Sequence, residues 1–568
     1  MKDGVLIDLG VQSFEKIRKR NSFYIDKTEF LKEWWEKGAD VTLITRPRRF
    51  GKTLNLSMTE CFFSNQYAGR SDLFEGLSIW KEESFRQYQG SYPVLFFSFA
   101  KVKAVNYEEM KDCVKKIIYD LFEQHRYLLC SDKFSENEKA YFCSVKPGMD
   151  DSTALDALNT LTGFLSRYYQ KDVIILLDEY DTPMQEAWLS GYWSKAVGFF
   201  RSFLNAALKT NRHLYRGLVT GITRISKESV FSDLNNLEVV TVTCGKYADF
   251  FGFTEQEVFQ ALDRLGYGAQ KQDVKNWYDG FIFGSRTDIY NPWSIASFLS
   301  NDAKYRTYWA DTSSNGLVNR LIREGSAQLK RRFEMLLDGQ HIKVAIEEQI
   351  VYDQLEEDEN AVWSLLLSAG YLKAVSIDDS CRKDGLGEDY YELALTNFEV
   401  RRMFAKMVRG WFRNSAEVYN EFIKALLSDN VKKMNTFMNK VALQTFSVFD
   451  SGKKPSQSAQ PERFYHGFVL GMVVDLSDRY KVKSNRESGY GRYDVLIEPF
   501  DTKNGKAFIF EFKVREPDEE ACLEDTVANA LAQINEKNYE AELISDGIPP
   551  ENIRKYGFAF EGKQCLIG

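Results

Sequence analysis

Four short runs in the first half of the chain, VTLIT at 41–45, PVLFFSF at 93–99, VIILLDEY at 173–180 and YRGLVTGI at 215–222, are apolar on both faces, and helical stretches separate them. A strand without a polar face must be covered on both sides, so runs of this kind alternating with helices predict a parallel sheet enclosed by helices. From FTEQEVFQALDRLG at 253–266 through WYDGF and NPWSIASFL the apolar residues recur at three-to-four spacing, which predicts a helical lid.

With 568 residues the chain exceeds a single hydrophobic core, and at roughly 150 residues per domain it should divide three or four ways. Hydrophobic residues at 44% and only 11 prolines predict globular structure throughout. The net charge of −8 excludes a histone-like polycation but leaves room for a local basic groove. The eight cysteines contain no C-x-x-C pair and the four histidines are scattered, which argues against a zinc cluster and for reduced thiols. The first twenty residues lack an apolar signal core, and no run approaches a membrane span, so the expected location is the cytoplasm and no membrane partner is expected.

Between VTLIT and the helical LNLSMTECFF lies RPRRFGKT, comprising Arg46, Pro47, Arg48, Arg49, Phe50, Gly51, Lys52 and Thr53. A strand-to-helix loop lets successive backbone N–H groups and a helix N-terminus surround a phosphate chain, while a lysine reaches the β and γ phosphates and a hydroxyl ligates Mg²⁺. The usual first glycine of such a loop is replaced here by Arg46, where a Cβ can cost about 1 kcal/mol. Taken alone, GKT is equally a basic strand-to-helix turn. The second element is DVIILLDEYD, which puts Asp178 and Glu179 at the C-terminal end of a buried strand, where open α/β sheets bind ligands. Asp178 would hold Mg²⁺ through water and Glu179 would polarise the attacking water, so the two motifs together predict ATP binding. Thr223 and Arg224, at the tip of the next strand, are candidate γ-phosphate sensors or an ordinary polar strand end. Arg216 and Arg224 are alternative arginine fingers.

The C-terminal region predicts a helix at 462–477, then strands RYKVKSN, GYGRYDVLIEP and KAFIFEFKV, a helix over 518–540 and a strand YGFAFEG. Alternation in FIFEFKV places Glu511 and Lys513 on one face, with Asp494 on the neighbouring strand. Two carboxylates and a lysine on one face fit a hydrolytic metal site, in which Asp494 and Glu511 ligate Mg²⁺ and Lys513 orients water or offsets phosphate charge. Glu462 could add a ligand and Gln533 could fix the water or a phosphate. The bland alternative is a solvated strand face with an ion pair. The turn SNRESGYGRYD, with Arg486 and Arg492, reads as a nucleic-acid approach or a plain glycine-rich hairpin.

These residues, with FYIDKTEFLKEW at 23–34, TRPRRFGKTLNLSM at 45–58, LLDEYDTPM at 176–184, TGITRISKESVFSDLNNL at 220–237, WYDGF, YNPWS and ESGYGRYDVLI, give nearly the whole chain a resemblance to the bacterial AAA-ATPase-like proteins that carry a C-terminal PD-(D/E)xK nuclease-superfamily domain. The resemblance implies that Arg46 is typical of the family and that Asp494, Glu511 and Lys513 fall on the nuclease motif. The expected fold is therefore α/β multidomain: an AAA-type P-loop ATPase over 1–245, a helical lid over 246–330, a winged-helix-like and helical connection over 331–450, and a restriction-endonuclease-like α/β domain over 451–568. The expected function is ATP hydrolysis controlling a Mg²⁺-dependent nuclease acting on DNA. The alternative is an ATP-dependent switch or scaffold with a catalytically silent nuclease-like domain. By analogy, AAA-type modules assemble as homo-oligomeric rings.

Overall fold

The computed structural model describes residues 6–224, 231, 235–309, 316–347, 352, 355, 358–378, 390–411, 416–445, 476, 479–488, 491–516, 519–561 and 564–568. They form two compact units, one of residues 1–325 and 341–401, the other of residues 326–340 and 402–568. Residues 451–462, with Glu462, and most of the helix expected over 462–477 lie outside the described residues.

The first unit is built on a five-stranded sheet of β1 (Val41–Thr45), β2 (Val94–Ser98), β3 (Val173–Asp178), β4 (Leu214–Gly221) and β5 (Leu237–Val240), in the order β2-β3-β4-β1-β5. All four pairings are parallel. Strands β1 and β3 are buried along their whole length, as runs with apolar residues on both faces require. Because β4 lies between β1 and β3, the C-terminal ends of all three strands meet at one edge. Thr45 pairs with Gly221 there, and Asp178 is the last residue of β3.

The region expected to be a helical lid has helices Glu255–Arg264, Lys271–Tyr278 and Pro292–Ser300. It differs from expectation in a small antiparallel sheet of β6 (Phe253–Thr254), β7 (Phe281–Phe283) and β8 (Arg286–Tyr290), ordered β6-β8-β7. The reason is Gly280, whose φ of 129° breaks the helix after WYD. A Cβ at that position would stand 2.0 Å from the Thr396 carbonyl oxygen. Further on, the helix Glu359–Ser368 is followed by β10 (Leu372–Asp378) and β11 (Tyr390–Leu395), and an earlier strand, β9 (Ile342–Ala345), completes a sheet ordered β10-β11-β9.

The second unit centres on β12 (Tyr480–Ser488), β13 (Gly491–Pro499), β14 (Ala507–Val514), β15 (Ile553–Glu561) and β16 (Gln564–Ile567), ordered as numbered. Only β14 and β15 run parallel, because a helix, Leu523–Glu536, connects them. Alternation along β14 divides the core. Phe508, Phe510 and Phe512 pack with Phe422, Leu426, Met434 and Met438 from helices Ala416–Leu427 and Val431–Thr445. Ile509 faces the other way, toward Ile534, Tyr539 and Leu543. Glu511 shares that second face. Among the described residues Cys61, Cys113, Cys130, Cys143, Cys244, Cys522 and Cys565 are free thiols, and no helix is long and apolar enough to cross a membrane.

Candidate functional site

The loop after β1 ends at Gly51, which takes a left-handed φ of 79° and opens the helix Lys52–Phe63. Arg49 is also left-handed, at φ 67°. The strain anticipated at Arg46 therefore falls three residues later, and Arg46 itself serves the frame. Its guanidinium is fully buried and donates to the carbonyls of Thr45 (3.1 Å), Thr241 (2.5 Å), Cys244 (3.4 Å) and Lys246 (3.0 Å). It also stacks on Phe283 at 4.5 Å. With its own N–H donating to Gly221, Arg46 is not available to a nucleotide.

Lys52 is 3% exposed and donates to the carbonyls of Arg46 and Pro47, each at 3.1 Å, while Glu179 Oε1 lies 3.8 Å away. Thr53 Oγ1 donates to Asp178 Oδ2 and Thr220 Oγ1 donates to Asp178 Oδ1, both at 2.7 Å. Burial, reinforced by the neighbouring Glu179, raises the Asp178 carboxyl above its ordinary range. A buried carboxylate held only by hydroxyls, beside a second acid, suits a cation. Glu179 stands in the left-handed region at φ 53°, which turns its side chain out of the strand direction.

A cavity of about 580 Å³, within the range of small-molecule sites, is lined by Arg48, Arg49, Phe50, Gly51, Lys52, Thr53 and Glu179. Its remaining wall includes Tyr24, Phe253 and Trp293, from segments quoted above, and Leu9, Val11, Lys103, Gln185 and Glu186, which the motifs did not single out. The lining thus combines apolar and aromatic side chains with the cationic loop.

The expected sensors are placed differently. The Thr223 hydroxyl and N–H donate to Asp181 Oδ2 at 2.9 and 2.8 Å, and the Ile222 N–H joins them at 2.9 Å. Thr223 is thus committed to the last acid of the D-E-Y-D run, and neither Thr223 nor Arg224 lines the cavity. Arg216 sits near the opposite end of β4, donating to the Trp34 carbonyl at 2.7 Å and stacking on Trp35. It cannot serve its own chain's site as a finger.

In the second unit, Val495 pairs with Phe510 in an antiparallel ladder, so the next step brings Asp494 opposite Glu511. Asp494 Oδ2 accepts the Phe512 N–H at 2.8 Å. Glu511, 3% exposed, accepts through Oε1 from the Gln533 amide, which also donates to the Tyr539 hydroxyl at 3.2 Å. Burial pushes the Tyr539 hydroxyl up; Gln533 offsets part of this, and the charges of Glu511 and Asp494 add to it. Tyr539 is therefore a neutral neighbour of both acids that the sequence motif did not flag. Lys513 lies two residues beyond Glu511 on the same strand face, and its charge reaches Glu520 in the following loop. Paired carboxylates on adjacent strands, one of them buried, fit a divalent cation.

Among the described residues the acidic trio with ligand atoms within 4.8 Å of one another is elsewhere, at Glu255, Asp279 and Asp288. The Lys275 ammonium is bonded to Glu255 and Asp288 and lies 3.8 Å from Asp279, so that cluster is ion-paired internally.

Two family models match this chain, that of the predicted AAA-ATPases over residues 8–231 and that of the PD-(D/E)XK nuclease superfamily over residues 460–568. The chain thus carries an N-terminal AAA-ATPase-like domain and a C-terminal PD-(D/E)XK nuclease-superfamily domain. A relative from Azotobacter chroococcum mcd 1, described as an uncharacterized protein in the vnfD 5′ region, is 23% identical over 559 residues, covering 96% of this chain and 94% of that protein. Among solved structures, the Aeropyrum pernix ORC2 protein in its ADPNP–ADP complexes matches at 11% identity, covering 72% of this chain and 97% of that one, with a TM-score of 0.24. A likeness that slight carries no argument about this chain.

Proposed function

We propose that the protein binds and hydrolyses ATP and that its nucleotide state controls a Mg²⁺-dependent phosphodiesterase acting on DNA. The observation that carries this reading is the convergence of Lys52 and Thr53 with Asp178 and Glu179 beside one cavity, from two segments 125 residues apart in sequence. On this reading the backbone N–H groups from Arg49 to Thr53 receive the phosphates, and Lys52 exchanges the Arg46 and Pro47 carbonyls for phosphate oxygens. Thr53 and Asp178 hold Mg²⁺, which supplies charge neutralisation between the phosphates. Glu179 orients the attacking water and accepts its proton.

In the second unit Asp494 and Glu511 hold the ion that supplies water activation and charge neutralisation at the scissile phosphate. Lys513 faces the charge that develops there, and Gln533 and Tyr539 hold the Glu511 carboxylate in place. The partition into an ATPase over 1–245, a lid over 246–330, a winged-helix-like connection over 331–450 and a nuclease-like domain over 451–568 belongs to the same proposal, as do DNA as partner and assembly into a homo-oligomer.

The test is turnover of ATP, and cleavage of DNA and RNA with Mg²⁺, by the intact chain, Lys52→Ala, Asp494→Ala and Lys513→Ala. Phosphate release lost in the first variant and cutting lost in the other two is the expected outcome. Cutting that survives both nuclease substitutions discards that assignment. ATP turnover with nucleic-acid binding but no cleavage favours the switch or scaffold.

A further inference from the structure

Apart from Trp293 in the cavity wall, the YNPWS motif and the residues around it are assigned no role in the nucleotide reading, yet they converge on the phosphate loop. The Arg48 carbonyl accepts the indole N–H of Trp309 at 3.0 Å and the Asn291 amide at 3.3 Å. The next residue, Arg49, lays its guanidinium over the Trp293 ring at 4.4 Å. Phe50, after it, packs edge-on against Phe281 at 4.7 Å and Phe283 at 5.4 Å. Three successive loop residues are therefore gripped from the segment after β6.

The grip has a fixed backing. Glu399, 1% exposed, accepts the Trp309 N–H at 2.6 Å on one oxygen and the Ser294 hydroxyl at 2.7 Å on the other. Asn291 Oδ1 accepts the N–H groups of Trp293 and Ser294, which leaves its amide directed at Arg48. The position gripped is also the one that needs support. Arg49 sits at φ 67°, a region a side chain occupies only when its surroundings impose it. A trans peptide sends its carbonyl and N–H in opposite directions, so holding the Arg48 carbonyl on Trp309 and Asn291 turns the Arg49 N–H away from the clamp. That orientation is what an anion-binding nest requires.

We propose that Asn291, Trp309 and Glu399 are positioning residues for the phosphate loop: they hold the strained Arg48–Arg49 peptide in its anion-accepting form, so that docking of this segment and occupation of the loop are one linked equilibrium. The clamp stands on the contacts alone, whereas its effect on ATP rests on the nucleotide reading. Linkage runs both ways, so a ligand on the loop tightens the Trp309 contact.

Trp309→Phe removes the indole donor while keeping a ring against Phe281 and Tyr371. Glu399→Gln keeps the shape of the backing and removes its charge. Hydrogen exchange over residues 46–54 of the full chain without nucleotide should accelerate about fivefold in both variants, the factor a single hydrogen bond supplies. A fluorescent ATP analogue should bind about fivefold more weakly, again one hydrogen bond's worth. The emission difference between the parent and Trp309→Phe should shift when the analogue is added, a signature that mere structural support does not produce. Loop exchange unchanged in both variants overturns the proposal, whether or not ATP binds. Faster exchange in a protein that does not bind the analogue leaves the clamp standing and removes the ATP reading instead.

Discussion

Thr53 donates its hydroxyl to Asp178 Oδ2 at 2.7 Å across a sequence separation of 125 residues. This bond joins the first turn of the helix after β1 to the last residue of β3, and Thr220 from the intervening β4 supplies the other carboxylate oxygen with a donor. The ends of β3 and β4 and the start of the helix after β1 are thereby tied at one carboxylate.

Lys52 spans this arrangement from the other side, satisfied for now by two loop carbonyls. Lys52→Ala removes the ammonium that donates to two loop carbonyls and should lower ATP turnover roughly 100-fold or more, the scale of losing a preorganised charge-stabilising group. A phosphate-release assay measures it, and retained turnover would move the phosphates elsewhere.

Asp178→Asn separates stability from activity. Asp178 has its folded pKa raised by burial and by Glu179, so its ionised form costs the fold stability that is present at low pH and lost as pH rises through the raised value. The asparagine variant, freed of that cost, should melt no lower than the parent in Mg²⁺-free buffer above neutral pH, yet should fail to hydrolyse ATP. Calorimetry beside a turnover assay reads both.

Asp279, in the WYDGF motif, gives a pH-dependent case. Burial first and the neighbouring Asp288 second raise its pKa from 3.8 to about 7, against the pull of Lys275. Below the unfolded value both states carry the proton and the group is neutral to stability. Between 3.8 and about 7 the unfolded chain releases its proton first, so rising pH favours unfolding; above about 7 the penalty is constant. The difference in melting temperature, Asp279→Asn minus parent, should therefore grow between about pH 4 and pH 7 and then level off. A flat difference across that range contradicts the assignment.

The fold was legible wherever one strand's own sequence decides its environment: VTLIT and VIILLD have no polar face, so their burial and parallel pairing follow. The β7–β8 hairpin is hidden in the sequence because a three-residue apolar run such as FIF is too short for its periodicity to separate strand from helix, and the deciding feature, the left-handed turn at Gly280, lies close against the distant Thr396 carbonyl. Arg46 is placed in the phosphate loop by the motif's spacing, and Thr223 is a candidate sensor because a hydroxyl at a strand tip suits phosphate. Both are instead consumed by protein acceptors, Arg46 by carbonyls near β5 and Thr223 by Asp181. Such competition is invisible until tertiary neighbours are known. Trp309 and Glu399 carry no motif at all, since a tryptophan in an aromatic stretch and an acid near a helix start are ordinary residues until an indole N–H is found on a loop carbonyl.

The chain Glu511–Gln533–Tyr539 offers the sharpest test of the second site, because each member can be altered without changing its size much. Glu511 is covered by the helix Leu523–Glu536, and its carboxylate direction is set by the Gln533 amide, which in turn rests on the Tyr539 hydroxyl. Removing that hydroxyl in Tyr539→Phe leaves the ring buried with Leu543 and Ile548 while freeing the amide to rotate. If Glu511 holds a catalytic Mg²⁺, the variant should cut about 10–100-fold more slowly, the usual cost of losing support behind a metal ligand, and part of the loss should be recovered at higher Mg²⁺. Lys513→Ala should lose cutting without any recovery by Mg²⁺, since a lysine facing the phosphate acts on substrate rather than on the ion. Metal titrations of cleavage by the two variants distinguish these roles, and identical Mg²⁺ dependence in both would refute the division of labour.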